Sequence, residues 1–150
     1  MTISSIRRIG KRVGAMAFLV AGLTFFGTSP ALALQPSLTV SPTTGIADGQ
    51  TLSVTGSGFG ANATVHIVEC SLNGGVLACN LGNGDAKTVT ADSNGQVAAG
   101  LPVRKVYAGV DPVTGNPTGQ VDCGAAPGCI VVASVDGSST ATDPVAISFQ

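Results

Sequence analysis

The residues of this chain best able to do chemistry are its four cysteines, Cys70, Cys79, Cys123 and Cys129. They can join as disulfides or act as thiolate ligands of zinc. Four cysteines allow three disulfide pairings, and sequence alone does not choose among them. Pairing of near neighbours is favoured by turn-forming residues inside each interval, Asn-Gly-Gly at 73–75 and Ala-Pro-Gly at 126–128. Loops this short would each add roughly 2 to 3 kcal/mol of stability. A long-range bridge between two sheets is the alternative.

The zinc alternative is weaker. Neither cysteine pair has the gap of two to four residues that is usual in zinc sites. An exported protein also meets an oxidising environment, which favours disulfides. We therefore predict no metal site.

The remaining reactive groups give no catalytic constellation. His66 lies in an alternating apolar stretch, and no Gly-x-Ser-x-Gly motif accompanies it, so no triad is predicted. Four aspartates stand at turns or strand ends, where side-chain hydrogen bonds to the backbone explain them: Asp48, Asp92, Asp111 and Asp122. The sequence indicates a protein that is not an enzyme.

The first 33 residues have the order of a secretory signal peptide. A basic region without acidic residues is followed by an apolar run, residues 13–27, that is short for a membrane span. Ala31 and Ala33 then form a small-x-small cleavage site. Cleavage after Ala33 would leave residues 34–150 as one secreted domain, exported by the general secretory path in preference to the twin-arginine path. The alternative is an uncleaved N-terminal anchor.

Loss of the signal peptide would make the protein acidic. Residues 34–150 keep three basic residues, Lys87, Arg104 and Lys105, against eight acidic ones, a net charge of −5. Binding of nucleic-acid phosphates or of an anionic membrane depends largely on Lys and Arg. The polypeptide is therefore not expected to clamp DNA or RNA or to bind a membrane by itself.

The sequence predicts that strands carry these residues. Val, Thr, Ser, Ala and Gly dominate residues 34–150, turn residues recur every several positions, and no long stretch has helical apolar spacing. Alternation is clear at Leu52 and Val54, which share one face of a strand. The predicted strands are residues 37–41, 51–56, 64–69, 87–91, 96–103, 119–123, 129–135 and 145–149. Short strands at this spacing indicate an all-β, immunoglobulin-like antiparallel sandwich.

Several segments in order carry a resemblance to a known family. They are 38–50 (LTVSPTTGIADGQ), 54–59 (VTGSGF), 75–80 (GVLACN), 89–95 (VTADSNG), 103–105 (VRK), 121–123 (VDC) and 145–149 (VAISF). Together they resemble the neocarzinostatin family of enediyne antibiotic apoproteins, over essentially the whole mature chain.

The resemblance implies a seven-stranded immunoglobulin-like barrel with a small hairpin subdomain, two local disulfides (Cys70 with Cys79, Cys123 with Cys129) and a cleft near them. In the family this cleft holds a labile enediyne chromophore, and the freed chromophore cleaves DNA. We therefore expect a secreted, monomeric carrier with an antibacterial role, which meets DNA only through its ligand and needs no cofactor except that non-covalent chromophore. The alternative is a secreted or cell-envelope immunoglobulin-like module without an enediyne ligand.

The resemblance also places residues around the cleft. The candidate ligand-binding residues are Cys70, Leu72, Leu77, Cys79, Val132 and Ser134. The first disulfide would be the floor, Leu77 lies just before its second cysteine, and Ser134 would be a polar wall. Leu72 stands where the family has tryptophan, and Val132 where it has glycine. A shallower or reshaped cleft is therefore expected.

Overall fold

The computed structural model describes residues 35–150, and in this range the chain forms ten strands and no helix. The strands are β1 (Ser37–Ser41), β2 (Thr51–Ser57), β3 (Thr64–Asn73), β4 (Val76–Cys79), β5 (Lys87–Thr90), β6 (Val97–Pro102), β7 (Val106–Val110), β8 (Pro117–Asp122), β9 (Cys129–Val135) and β10 (Val145–Ile147). The all-β prediction is confirmed. The predicted signal peptide, residues 1–33, lies outside the described residues. From residue 35 to residue 150, no helix is long and apolar enough to cross a membrane.

The strands form two antiparallel sheets. The first has three strands in the order β1-β2-β6. The second has seven strands, in the order β10-β9-β3-β4-β7-β8, with β5 also paired to β3. Strand β3 is central because β9 pairs along one edge while β4 and β5 share the other. The predicted immunoglobulin-like sandwich is confirmed.

The main core lies between the two sheets and is built from small aliphatic side chains. Leu52 and Val54 of β2 are fully buried, as the alternation predicted. Val65 and Ile67 of β3 face them from the second sheet and are also fully buried. Glu69 follows at the next position of this alternation, so the strand carries an acidic side chain to the core side.

Two strands were missed by the sequence analysis. Strand β4 is only four residues long, and β3 extends four residues beyond the predicted end at Glu69 to pair with it. The two strands are joined by Gly74 and Gly75, which have φ values of 62° and 84°. Positive φ at both central residues is typical of a two-residue hairpin turn. The other missed strand, β7, forms a hairpin with β8.

The turn interpretation is confirmed for three of the four aspartates, Asp92, Asp111 and Asp122. The Asp111 carboxylate accepts hydrogen bonds from the backbone amides of Val113 (2.8 Å) and Thr114 (3.3 Å), and these bonds hold the pKa of Asp111 below its usual value. Asp92 and Asp122 accept comparable local backbone bonds. Asp48 instead accepts a hydrogen bond from the Lys105 backbone amide (2.8 Å), 57 residues away in the chain, so a long-range bond and not a turn bond explains it.

Candidate functional site

The four cysteines pair locally. Cys70 bonds Cys79, and Cys123 bonds Cys129, as the resemblance implied. No cysteine is free among the described residues, which include all four. The zinc alternative is therefore wrong, because a disulfide sulfur is not a thiolate ligand. The approach of Glu69 to Cys123 and Cys129 does not make a metal site for the same reason.

The face of the second sheet that points away from the main core, here called the outer face, gathers all six candidate ligand-binding residues. On it, Cys70 lies opposite Cys79, and Leu72 lies opposite Leu77. The pairing of β3 with β9 places Val132 opposite Val68 and Ser134 opposite His66. Residues widely separated in sequence therefore share one surface because β3 pairs on both edges.

The first disulfide is buried beneath this face. Cys70 is 0% and Cys79 is 1% exposed. With Val68 they form a small apolar cluster, separate from the main core, against which four partly buried side chains pack: Leu77, Ala86, Ile130 and Val132. Aliphatic side chains therefore pack over the disulfide. Val132 is one of them, at the position where the resemblance places a glycine.

A cavity of about 190 Å³ lies at the Leu72 end of β3. It is lined by Ser71, Leu72, Pro127, Gly128, Ile130 and Pro144. The Ser71 hydroxyl donates to the Gly128 carbonyl oxygen, which fixes the loop closed by the second disulfide as one wall. Leu72 is 52% exposed at the mouth. Of these residues, only Leu72 was among the candidate ligand-binding residues predicted from the sequence. Pro127 and Gly128 were visible in the sequence as a turn, without a sign that they would line a cavity.

A larger hollow of about 480 Å³ lies over the first sheet, along β2 and β6. Its lining consists of small or already buried side chains, including Ser53 and Gly100, and contains no titratable group. It is an open depression, without the enclosing loops found around the 190 Å³ cavity.

The opposite end of the outer face is polar. The His66 Nδ1 atom lies 3.0 Å from the Thr88 hydroxyl oxygen, and its Nε2 atom lies 3.5 Å from the Asp136 carboxylate. The side chains of His66 and Asp136 are 43% and 70% exposed. The structure thus gives His66 polar partners that the sequence analysis did not find, at the surface and about 20 Å along the strand from Leu72.

A polar cluster lies buried on the core side of β3. One Glu69 carboxylate oxygen accepts hydrogen bonds from the Arg104 backbone amide (2.9 Å) and the Asn80 side-chain amide (3.2 Å). The Arg104 guanidinium donates to Asp85 at 3.0 Å. Glu69 is 1% exposed, and burial raises its pKa from an ordinary 4.5 to about 7, although its hydrogen bonds act in the opposite direction. This cluster was not predicted from the sequence.

Tyr107 links the β7–β8 hairpin to the strand that carries Cys79. Its hydroxyl donates to the Ala78 carbonyl oxygen at 3.1 Å and lies 3.9 Å from the Cys129 sulfur. Burial, and then the nearby Glu69, raise the pKa of Tyr107 above its usual value. The phenol therefore remains a neutral donor, which holds the hairpin against the sheet.

Comparisons with known proteins agree with this architecture. Residues 38–149 match the model of the neocarzinostatin family. The chain is 39% identical over 123 residues to actinoxanthin of Streptomyces globisporus, an alignment that covers 82% of this chain and 83% of the relative. It is 38% identical over 126 residues to the antitumor antibiotic C-1027 apoprotein of the same species, covering 84% and 85% of the two chains.

Two solved structures are also similar. The structure of macromomycin, a protein of Streptomyces macromomyceticus, has a TM-score of 0.64 at 29% identity and covers 75% of this chain and 98% of that one. The structure of apokedarcidin, from an actinomycete, has a TM-score of 0.60 at 31% identity and covers 77% and 99% of the two chains.

Proposed function

Because the chain belongs to the neocarzinostatin family, we propose that it is a secreted carrier apoprotein that holds a labile, apolar small molecule of the enediyne antibiotic type. The ligand binds non-covalently on the outer face. The observation that carries this proposal is the convergence of the six candidate residues on that one face, beside an apolar cavity.

Each candidate residue has a role in this proposal. The Cys70–Cys79 bridge supports the face from below, because it is buried and rigid. Leu72, Leu77 and Val132 supply apolar contact area. Ser134 is half-buried beside this area and offers a hydroxyl that orients the ligand. No aromatic side chain takes part, so binding rests on aliphatic burial at roughly 25 cal/mol per Å².

The charge of the protein sets how it relates to DNA and membranes. Residues 35–150 contain three basic and eight acidic residues, a net charge of −5. We propose that the polypeptide acts as a monomer that does not bind DNA or a membrane, and that any reaction with DNA belongs to the released ligand. Protection of a reactive compound during export, with antibacterial action after release, requires no catalytic group of the protein.

Titration of the mature domain with 2-naphthoate, a probe with a planar apolar ring system and one carboxylate, tests the proposal. We expect saturable binding that Leu72→Asp weakens by at least about tenfold, because it places a charge on the apolar face. Ala98→Asp is the matched control, since Ala98 is exposed on the first sheet. Absence of saturable binding, or equal weakening by both substitutions, would contradict the proposal.

A further inference from the structure

The cavity that the described residues form on the outer face does not lie over the disulfide. Cys70 and Cys79 are almost completely buried, and Val132 and Leu77 are among the side chains that pack over them. A ligand lying there would rest on a continuous aliphatic surface. The enclosed space is instead the cavity between Leu72 and the loops that contain Pro127 and Pro144.

The size of this cavity limits what can enter it. Sites for complete drug-sized ligands usually measure about 300 to 1,000 Å³. An apolar protein cavity of about 150 Å³ holds one benzene molecule. At about 190 Å³, the cavity has room for one six-membered ring or a branched alkyl group.

The chemistry of the lining further limits which chemical group can enter the cavity. Five of the six lining residues are apolar or glycine. The sixth, Ser71, is 4% exposed, and its hydroxyl proton is already donated to the Gly128 carbonyl oxygen. A polar entering group would lose water and would find only the buried Ser71 hydroxyl oxygen as a side-chain partner. The cavity therefore favours a hydrocarbon group.

We propose that the 190 Å³ cavity, which Leu72 and Ile130 help to line, is the subsite that anchors the ligand of this protein. It selects ligands bearing a single hydrocarbon ring or branched alkyl group. The rest of the ligand lies along the outer face over Val132 and Leu77. This inference rests on the proposed carrier function but assigns the specificity to residues outside the disulfide floor, namely Pro127, Ile130 and Pro144 together with Leu72.

Methyl NMR titration of the mature domain with cyclohexanol tests this assignment. We expect saturable shifts centred on Leu72 and Ile130, with little change at Leu77. Leu72→Trp fills the mouth of the cavity with an indole and is expected to weaken cyclohexanol binding by at least about tenfold. Leu81→Trp is the matched control, because Leu81 is 40% exposed and lies outside the cavity lining.

Several results would overturn the inference: shifts centred on Leu77 and Val132, equal effects of the two tryptophan substitutions, or no saturable cyclohexanol binding. The failures of the two proposals are distinguishable. If 2-naphthoate binds the outer face while cyclohexanol does not enter the cavity, the carrier function stands and the anchoring subsite is wrong. If cyclohexanol enters but the secreted protein carries no ligand and does not bind 2-naphthoate, the subsite stands and the carrier function is wrong.

Discussion

Replacement of Glu69 by glutamine should change how the stability of the protein depends on pH. Glu69 is 1% exposed, and its pKa is raised from 4.5 to about 7, chiefly by burial. The folded state therefore holds the Glu69 proton more tightly than the unfolded state does. The stabilisation is fully present below pH 4.5 and is lost as the pH rises to about 7.

The size of this effect follows from the two pKa values. At about 1.4 kcal/mol for each pH unit between them, the wild-type protein loses about 3 kcal/mol of unfolding free energy through Glu69 across this range. Glutamine has nearly the same shape, and its carbonyl can still accept the bonds from the Arg104 amide and the Asn80 side chain. It does not ionise, so Glu69→Gln removes this loss.

Urea denaturation of both proteins at pH 4, 5.5, 7 and 8.5 measures the effect. We expect the unfolding free energy of Glu69→Gln, relative to wild type, to increase by about 3 kcal/mol from the acidic to the alkaline end. Asp143→Asn is the control, because Asp143 is an exposed carboxylate. Parallel pH profiles for wild type and Glu69→Gln would show that burial does not raise the pKa of Glu69 in the folded protein.

Three further predictions concern stability. Reduction of both disulfides should lower the thermal unfolding midpoint, since each bridge closes a short loop and contributes roughly 2 to 3 kcal/mol to the free energy of unfolding. An unchanged calorimetric midpoint after reduction would show that the bridges do not stabilise the fold. Thr118→Val should raise the unfolding free energy measured in urea by about 1 kcal/mol, because the Thr118 hydroxyl is buried without a hydrogen-bond partner among residues 35–150. A lower unfolding free energy would show that the hydroxyl has a partner. Gly95→Ala should lower the free energy of unfolding by at least about 2 kcal/mol more than Gly115→Ala does. Both glycines have φ of 73°, but only at Gly95 would the added methyl group meet a backbone carbonyl, that of Phe59. Equal losses of urea stability in the two variants would show that this carbonyl yields without cost.

The parts of the fold that depend on local alternation could be predicted from the sequence. Strand β2 begins at the predicted residue, Thr51, and ends one residue after the predicted end at Gly56. Its apolar residues, Leu52 and Val54, alternate with polar ones in the sequence, and they are the buried residues of the strand. Strand β4 could not be found this way, since four residues without a polar alternation carry too little signal. Its partner in the sheet, β7, meets it at one pair of residues, Cys79 and Val110, from a distant part of the chain.

The candidate site also has a part that could be predicted from the sequence and a part that could not. The disulfide partners and the six residues of the outer face followed from the family resemblance, and strand pairing explains why they lie together. The cavity did not follow, because Pro127 and Pro144 belong to separate loops that only the pairing of β9 with β3 and β10 brings near Leu72. The Glu69 cluster was hidden for a similar reason. The position of Glu69 on the core side is visible in the alternation, but Arg104, which donates to its carboxylate, is 35 residues away in the chain.

Native mass spectrometry and absorbance of the protein purified from its own secretion medium test whether this chain is a carrier. We expect a chain that begins at Leu34 and carries one non-covalent small molecule, which absorbs light and is lost when the protein unfolds. A secreted protein that is free of ligand and also fails to bind 2-naphthoate would contradict the claim that this chain is a carrier.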